Sequence, residues 1–530
     1  MNIITKKAMY YPEHNPRASG MRLATKLAMQ PSFIETFVQS LFDVYKNKGT
    51  PINKIVVGTD GRYFTVNARE TVMRVALANG VDRIYTTATG LMSTPACSLI
   101  TKNNADVSIL LTASHNQGGL DADFGIKVED DKGGIISSEI CNELIECMKK
   151  MKEYKTTTDT PNNVFMNLKV GYCDSVEWYA NKMEELFDFD LLKKFFKKKR
   201  IVLDCLHGAS GDYVKEIFEN RLELENLEIR KSENLPDFAG GHPEPNPLYA
   251  KKFYDEIIAD KNAIGCAFDA DVDRYMIVSE GRFMAPPDLL AMATKYLHLA
   301  KGYSDGLEGV ARSMPTAKIV DAVAKDLGIP CYEVPTAWGF FINLLEAGKI
   351  TICGEESFGI GSNHIKEKDG IWGVLAWMNT LAKTEKTTEN LLQDLWGKYG
   401  KFYTCRYDFE TTGEKAKAVF EGLKNLKEGQ FDNYKILKVS EFNFIDQITK
   451  KETPHQGWTV EFTDGSRVMT RLSNTGTKGA LLRFYIELRE TENFNADSFE
   501  ITKKLGEAGL LALEIEKHLG TKKPDVIVKG

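Results

Sequence analysis

The segment Leu111–Lys127 reads LTASHNQGGLDADFGIK and follows directly on the apolar run Val107–Leu111. A short, continuously apolar run of this kind predicts a buried strand. Ser114 comes just past the end of that strand, at the edge of the sheet where α/β proteins place reactive groups. The residues therefore predict a serine that acts either as a nucleophile or as the carrier of a phosphoryl group.

The same succession of apolar strand, polar loop and helix recurs along the chain. The first round begins with the strand Lys54–Gly58, and the second begins with Arg200–Asp204. A third round ends in the strand Ile350–Cys353, and beyond about Lys401 the pattern changes to strands with flanking helices. Alternating strands and helices predict mostly parallel sheets. The predicted fold class is α/β, with three similar mixed α/β domains and a C-terminal α+β domain.

A chain of this length is too long for one core, and the changes of pattern place the boundaries between domains. The predicted domains are residues 1–190, 191–285, 286–402 and 403–530. The polar segment Tyr154–Asn163 is expected to form a loop. The basic run Leu191–Arg200 is predicted to be a solvated helix end between two domains, because the acidic balance of the chain disfavours a nucleic-acid or calmodulin-type element.

The composition is that of a folded, soluble protein. The 530 residues carry 68 Lys and Arg against 74 Asp and Glu, a net charge of −6. This balance gives no general attraction to nucleic acid or membranes, so any phosphate site must be local. Nine cysteines without a C-x-x-C pair predict a cytoplasmic protein without a disulfide framework or zinc site. The N-terminus is not a signal peptide, and no apolar run reaches the ~18 residues of a membrane span.

Three aspartates, Asp269, Asp271 and Asp273, follow a predicted strand in the segment DADVDR. Carboxylates this close repel one another unless a cation lies between them, so the spacing predicts a divalent metal site. Hard oxygen ligands with room for a phosphate oxygen suit Mg²⁺. An EF-hand is excluded because Arg274 occupies the sixth loop position, where the turn needs glycine. A solvated acidic turn is the remaining alternative.

The segment Gly354–Gly359, GEESFG, places two carboxylates and a hydroxyl at a strand end. Carboxylate oxygens accept charge-assisted hydrogen bonds from sugar hydroxyls, which makes Glu355 and Ser357 candidates for binding a sugar. The alternative is a helix N-cap with acidic first-turn residues. Downstream, His364, Lys366 and Lys368 offer phosphate contacts or groups for proton transfer.

The segment Arg471–Gly476, RLSNTG, and Arg483 on the returning strand combine two guanidinium groups with two hydroxyls and a glycine turn. Arginine binds phosphate in a bidentate manner and turn amides can cradle it, so this is a candidate anion site. It is not a Walker P-loop, because the chain contains no G-x-x-x-x-G-K-[ST]. A polar hairpin without a ligand is the alternative.

A phosphate carrier, a metal loop, a hydroxyl-binding loop and a separate phosphate anchor together predict an enzyme that acts on a phosphorylated sugar. A serine hydrolase is disfavoured because the chain lacks G-x-S-x-G.

These segments resemble the α-D-phosphohexomutase superfamily, and most closely its phosphoglucomutase branch. The resemblance is carried by Thr112–Lys127, Phe268–Arg274, Ala311–Thr316, Cys353–Gly370 and Arg471–Glu487. It implies four domains around one central active-site cleft, with the phosphoserine, metal-binding, sugar-binding and phosphate-binding loops in successive domains.

The resemblance also implies a role for each candidate residue. Ser114 would be the phosphoserine, and Mg²⁺ would be held by its phosphate and by Asp269, Asp271 and Asp273. The residues that would bind substrate are Glu355, Ser357, Thr336, Arg274, Arg471, Ser473, Thr475 and Arg483. The candidates for proton transfer are His115, Lys127 and Lys368, with Arg22 as an electrostatic aid.

The activity implied is the interconversion of glucose 1-phosphate and glucose 6-phosphate, with glucose 1,6-bisphosphate as the intermediate, by a monomer whose partners are small phosphosugars. The alternatives are a phosphohexomutase for mannose phosphates, a glucose 1,6-bisphosphate synthase, and a non-catalytic phosphorylatable scaffold. Two positions depart from the family pattern, since Asn474 and Gly339 stand where related sequences usually carry glycine and lysine.

Overall fold

The computed structural model describes residues 2–12, 14–17, 20–158, 170–424, 426, 431, 434–474 and 480–529. These residues form three α/β units, each around its own sheet, and a C-terminal unit around an antiparallel sheet.

The strands of the three α/β units are Ile3–Lys7, Met21–Ala24, Lys54–Thr59, Arg83–Thr86, Val107–Leu111, Asp123–Asp130, Glu153–Thr157 and Val170–Tyr172 in the first; Arg200–Asp204, Leu227–Arg230, Ala263–Phe268, Tyr275–Ser279 and Arg282–Met284 in the second; and Val310–Ser313, Cys331–Val334, Ile352–Glu355 and Gly359–Ser362 in the third. The C-terminal unit contains Lys401–Thr411, Ile436–Glu441, Phe444–Ile445, Glu452–Thr453, Trp458–Phe462, Arg467–Asn474, Ala480–Glu490 and Val526–Lys529.

The α-helices are Thr25–Ala28, Phe33–Asn47, Thr65–Ala78, Thr94–Asn104, Ser138–Lys150, Ser175–Leu186, Phe189–Phe196, Gly211–Val214, Lys251–Ala259, Pro286–Tyr296, Ile319–Leu327, Gly339–Glu346, Gly370–Thr384, Thr388–Tyr399, Gly413–Lys424, Ser498–Ala512 and Ile515–Leu519. A π-helix, Lys215–Arg221, continues Gly211–Val214, and single 3₁₀ turns occur at Phe238–Gly240, Leu297–Leu299 and Lys301–Tyr303.

The three α/β units share one arrangement of four strands. In each, a first strand lies between a second and a third that run parallel to it, and a fourth pairs antiparallel with the third. The first strands of the three sets are Lys54–Thr59, Arg200–Asp204 and Val310–Ser313. The third strands of the first two units, Val107–Leu111 and Ala263–Phe268, are buried throughout, as expected for apolar runs in sheets covered on both faces. The predicted fold class is confirmed.

The turn between the third and fourth strands has the same place in every unit, and it carries a predicted functional segment each time. Ser114 lies on this turn in the first unit, Asp269–Asp273 form it in the second, and Ser357 lies on it in the third. The second and third turns are joined by their backbones, since the amide of Tyr275 donates to the carbonyl oxygen of Phe358 at 3.2 Å. The repeated topology therefore places a predicted functional segment on the corresponding turn of each unit.

The hydrophobic cores divide the molecule unequally. One apolar cluster runs through all three α/β units, from Val56 to Tyr399, whereas the C-terminal unit has its own core between Cys405 and Ile515.

All nine cysteines are unpaired. No helix among the described residues is both long and apolar enough to cross a membrane.

One sequence-based expectation is wrong. The segment predicted as a loop begins with the strand Glu153–Thr157, which pairs antiparallel with Ile3–Lys7. Tyr154 is only 4% exposed, so this polar strand has one buried face. Residues 159–163 of the segment lie outside the described residues. The basic run further on includes the C-terminal part of the helix Phe189–Phe196, in which Phe189, Leu192 and Phe196 are buried.

Candidate active site

Ser114 lies on a turn whose backbone is hydrogen-bonded to a buried ion pair, Arg62 with Asp60. Its φ is +51°, in the left-handed region, and its amide donates to Thr112 Oγ1 at 2.8 Å. Arg62 Nη2 donates to the carbonyl oxygen of Ser114 at 2.7 Å, and Arg62 is itself paired with Asp60 at 2.9 Å. Both of these charged side chains are buried. The fold therefore orients the serine through contacts within the protein.

The hydroxyl of Ser114 points at the aspartate segment. Its Oγ donates to Asp269 Oδ2 at 2.8 Å and lies 3.2 Å from Nδ1 of His115. Burial, followed by the nearby Arg274 and Arg22, holds the pKa of His115 well below its ordinary value. A histidine in this state is neutral and offers one ring nitrogen as a proton acceptor.

The three aspartates converge in the interior of the protein. Asp269, Asp271 and Asp273 are at most 2% exposed, and each offers a carboxylate oxygen within 4.8 Å of the other two. Burial, followed by Asp271 and Asp273, raises the pKa of Asp269 well above its ordinary value. The Oδ1 atoms of Asp271 and Asp273 are buried and accept no hydrogen bond from any described residue. Mutually repelling carboxylate oxygens that accept no hydrogen bond, at this separation, fit a divalent cation with oxygen ligands such as Mg²⁺.

Two lysines and an arginine surround these carboxylates. Lys368 Nζ lies 3.1 Å and Lys127 Nζ 3.5 Å from Asp273 Oδ2. Burial opposes the ionisation of Asp273, but Lys368 and then Lys127 lower its pKa below the ordinary value. Arg22 lies on an edge strand with an exposed side chain, within electrostatic range of Asp271 and Asp273. The structure thus brings all the candidate catalytic residues to one carboxylate cluster.

The candidate sugar-binding segment, Gly354–Gly359, adjoins the aspartates through Arg274. Arg274 Nη1 donates to the carbonyl oxygen of Ser357 at 3.2 Å. Glu355 is 6% exposed and accepts a hydrogen bond from the amide of Ala337 at 3.2 Å, while burial raises its pKa. The Thr336 hydroxyl is buried and has no hydrogen-bond partner in the part of the chain that the structure describes. This polar wall suits a ligand rich in hydroxyl groups.

Gly339 begins the helix Gly339–Glu346 beside the first unit. A Cβ added at this position would lie 3.3 Å from Cδ1 of Ile135. Since glycine has no side chain to extend towards substrate, any sugar contact made by the usual lysine is lost here.

The candidate phosphate anchor lies on the C-terminal sheet. Arg471 and Arg483 oppose each other on adjacent antiparallel strands, so their side chains share one face and repel unless an anion lies between them. Ser473 follows on the same face, because alternate residues of a strand point the same way. Arg483 Nε is buried without a hydrogen-bond partner among the described residues, and Asp408 Oδ2 is 3.9 Å from it. Thr475 lies outside the described residues.

Two buried carboxylates beside Lys127 were not among the predicted site residues. Glu367 Oε2 lies 3.4 Å from Lys127 Nζ. Glu129, on the same strand as Lys127, accepts a hydrogen bond from Ser108 Oγ at 2.8 Å. Burial, followed by Glu367, raises the pKa of Glu129 to about 8. In the sequence, Glu367 stands in a run of charged residues that is typical of a solvated loop, so only its burial reveals it.

His364 is a structural group. Its Nδ1 lies 2.6 Å from Ser362 Oγ, and its Nε2 lies 3.0 Å from Asp369 Oδ2. The ring also stacks on Trp372 with centroids 5.7 Å apart. Both ring nitrogens are therefore occupied inside the third unit.

The fold and the site together define a multidomain α/β enzyme of the phosphotransferase and mutase class. The chain belongs to the phosphoglucomutase/phosphomannomutase family of the α-D-phosphohexomutase superfamily. Family models for alpha/beta/alpha domains I, II and III of phosphoglucomutase/phosphomannomutase match residues 13–155, 177–282 and 286–399. A model for the C-terminal domain of phosphoglucomutase-1 matches residues 401–525.

The similarity to individual relatives extends over the whole chain. Phosphoglucomutase 1 of Drosophila melanogaster is 38% identical, with 98% of both chains covered. Phosphoglucomutase-1 of Oryctolagus cuniculus is 35% identical, covering 99% of this chain and all of the relative. The crystal structure of the exocytosis-sensitive phosphoprotein pp63/parafusin, a phosphoglucomutase from Paramecium in its open form, matches with a TM-score of 0.90 at 35% identity over 99% of each chain.

Proposed function

We propose that this protein interconverts glucose 1-phosphate and glucose 6-phosphate through a phosphorylated Ser114 and bound glucose 1,6-bisphosphate. The observation that carries the proposal is the 2.8 Å contact between Ser114 Oγ and Asp269 Oδ2, at a cluster of three buried aspartates. The names of full-length relatives at 35% to 38% identity support glucose phosphates as substrates.

The aspartates and the phosphate on Ser114 would together hold Mg²⁺, for the reasons of charge and geometry given above. When bound, the cation neutralises negative charge on the phosphoryl group, which is most of what catalysis of such a transfer requires. Lys127 and Lys368 add positive charge at the same place, since both contact Asp273.

In the proposed cycle, the bond between phosphorus and Ser114 Oγ breaks as a bond forms to O6 of glucose 1-phosphate, and the O6 proton passes to a base. Glucose 1,6-bisphosphate then reverses its orientation within the cleft, so that its 1-phosphate faces Ser114. Its 1-phosphate returns to Ser114 Oγ, the oxygen on C1 takes up a proton, and glucose 6-phosphate leaves.

One anchor for the phosphate that is not reacting serves both halves of this cycle, because either phosphate can occupy it. The residues proposed for the anchor are Arg471, Ser473, Thr475 and Arg483. The residues proposed to contact the rest of the substrate are Glu355, Ser357, Thr336 and Arg274.

Three side chains are candidates for exchanging the proton with the sugar hydroxyl, namely His115, Lys127 and Lys368. His115 Nδ1 is 3.2 Å from the serine oxygen, within reach of a group bound there. Arg22 is proposed to stabilise the charge of the transferring group from the open side of the cleft.

The protein is further proposed to act as a monomer on small phosphosugars in the cytoplasm, with domains at 1–190, 191–285, 286–402 and 403–530. Nine unpaired cysteines support a reducing compartment.

The decisive experiment measures conversion of glucose 1-phosphate by the purified protein with Mg²⁺, beside Ser114→Ala and the matched control Ser304→Ala, which removes an exposed serine. We expect Ser114→Ala to lower kcat by ~10³-fold or more, because the phosphoryl carrier is lost, and Ser304→Ala to match wild type. Equal activity of Ser114→Ala and wild type would refute the role of Ser114.

Intact mass after incubation with glucose 1,6-bisphosphate provides a second, independent test. Wild type should gain one phosphoryl group that maps to Ser114, and Ser114→Ala should gain none. Mannose 1-phosphate in the same conversion assay tests the alternative substrate, and faster turnover of it than of glucose 1-phosphate would contradict the proposed specificity.

A further inference from the structure

The ammonium group of Lys127 lies among oxygen atoms of three other side chains. Glu367 Oε2 is 3.4 Å away, and Asp273 Oδ2 and Thr94 Oγ1 are each 3.5 Å away. Thr94 in turn donates to Asp271 Oδ2 at 2.8 Å. Lys127 is therefore linked directly to one aspartate of the metal site and through Thr94 to a second.

Glu367 is an unusual ion-pair partner for Lys127. Its side chain is 1% exposed, and neither carboxylate oxygen accepts a hydrogen bond from any residue that the structure describes. Burying a carboxylate in this way is unfavourable, and a buried ion pair is a poor source of net stability. Its ion-pair partner, Lys127, comes from a different unit of the chain. Such a placement suits a residue that acts on the lysine better than one that stabilises its own loop.

The loop that presents Glu367 is held on both sides. The carbonyl oxygen of Lys366 accepts a hydrogen bond from Trp338 Nε1 at 2.8 Å. The carboxylate of Asp369, which is fully buried, accepts one from the hydroxyl of Tyr179 at 2.6 Å. These contacts restrain the residues on both sides of Glu367 and so limit the positions open to its carboxylate.

We propose that Glu367 is a positioning residue, which holds the Lys127 ammonium against Asp273 and Thr94 and so keeps the aspartates in the geometry that phosphoryl transfer requires. This inference rests on the proposed function. Lys368, the next residue, contacts the same oxygen of Asp273 at 3.1 Å. One loop of the third unit thus acts on the metal site twice, directly through Lys368 and indirectly through Lys127.

The test begins with Glu367→Gln, which preserves shape and removes charge. Glu346→Gln is the matched control, because Glu346 also pairs with a lysine of the first unit, Lys132, at 2.7 Å, but on the surface. Loss of an outer contact to a metal site typically lowers activity ~10- to 100-fold. We expect a fall of that size in kcat for Glu367→Gln, with KM changed less than about threefold. Glu346→Gln should match wild type.

A double-mutant cycle separates positioning from a general loss of structure. In a Lys127→Met background, Glu367→Gln should lower kcat by less than about twofold, because the group through which Glu367 acts is already gone. Glu367→Asp, which retains the charge on a shorter side chain, should keep more activity than Glu367→Gln. Thermal denaturation of every variant shows whether it is folded at the assay temperature.

Metal affinity gives a readout that does not depend on turnover. Mn²⁺ binding, followed by electron paramagnetic resonance without substrate, should weaken ~10-fold or more in Glu367→Gln. The inference is overturned if Glu367→Gln retains wild-type kcat, if it retains wild-type Mn²⁺ affinity, or if the same loss of kcat appears in the Lys127→Met background. Wild type and Glu346→Gln report separately on the proposed function, which fails if neither converts glucose 1-phosphate.

Discussion

The serine and aspartate centre and the arginine pair of the C-terminal sheet are both proposed to bind phosphate, yet they are built in opposite ways. In the first, opposite charges already meet within the protein, as where Lys127 and Lys368 both contact Asp273. In the second, Arg471 and Arg483 oppose each other across two strands as like charges. At the serine and aspartate centre, the protein itself supplies charges of both signs. At the proposed anchor, a bound anion would supply the charge that offsets the two arginines.

A third arginine on the same face of the C-terminal sheet makes the difference plain. Arg467 lies four residues before Arg471, and it is 1% exposed. Its guanidinium pairs with Glu487 at 2.7 Å and donates to the carbonyl oxygen of Thr316 in the third unit at 2.8 Å. Arg467 thus has its acceptors in the protein and joins two units, whereas Arg471 is proposed to bind an anion from outside.

The largest effect should come from removing the divalent metal proposed to bind at the serine and aspartate centre. Removing divalent metal with a chelator should lower kcat by ~10³-fold or more, because the charge of the transferring group is then left uncompensated. Added Mg²⁺ should restore wild type but not Asp271→Asn, whereas the exposed control Asp212→Asn should recover fully. Chelator-resistant turnover would show that the aspartates do not work through a metal.

Substitution of Arg467 tests whether this arginine of the C-terminal sheet contributes to the stability of the fold. Arg467→Met leaves Glu487 buried without its partner, and breaking a buried ion pair in this way costs about 3–5 kcal/mol of stability. Thermal denaturation should show the loss, and Arg467→Met combined with Glu487→Leu should recover part of it. A melting temperature equal to wild type would remove the distinction between Arg467 and the arginines of the anchor.

Asp288 provides a buried carboxylate outside the metal site. Burial, opposed by Lys401, raises its pKa to about 6, and its Oδ2 accepts a hydrogen bond from Trp396 Nε1 at 3.2 Å. Since the folded pKa lies above the unfolded value, the protonated form is favoured by folding. The associated stability is present below pH ~4 and is lost as pH rises through ~6, a change of about 3 kcal/mol.

Asp288→Asn should remove this dependence, because the amide is neutral throughout. The melting temperature of Asp288→Asn relative to wild type should therefore rise as pH increases from 5 to 7.5. A difference that stays constant over this range would contradict the raised pKa.

The smallest effect should come from the proposed anchor, where the only ion pair of Arg483 among the described residues is a long one, 3.9 Å from Asp408. Arg483→Met removes one charge-assisted contact, worth about 1.5–3 kcal/mol, so KM for glucose 1-phosphate should rise ~10- to 100-fold. Stability should change by less than about 1 kcal/mol, in contrast to Arg467→Met. An unchanged KM would place the phosphate elsewhere.

The segments that could be predicted are those whose chemistry is local in the chain. Asp269, Asp271 and Asp273 lie within five residues, so the prediction of a cation site follows from their spacing and expected repulsion. Ser114 could be placed at a strand end because the buried run before it is continuous. The strand Glu153–Thr157 was missed because its partner strand lies near the start of the chain and its own pattern is polar.

The sequence by itself determined the fold class and the reactive side chains that each loop carries, because residue type and strand periodicity are local properties. Only the tertiary structure decided which charges share the interior. Asp60 and Arg62 behind Ser114, and Glu367 behind Lys127, are side chains that would be ordinary on a surface. Inside the protein, where water no longer screens them, the same charges act strongly on whatever the fold places beside them.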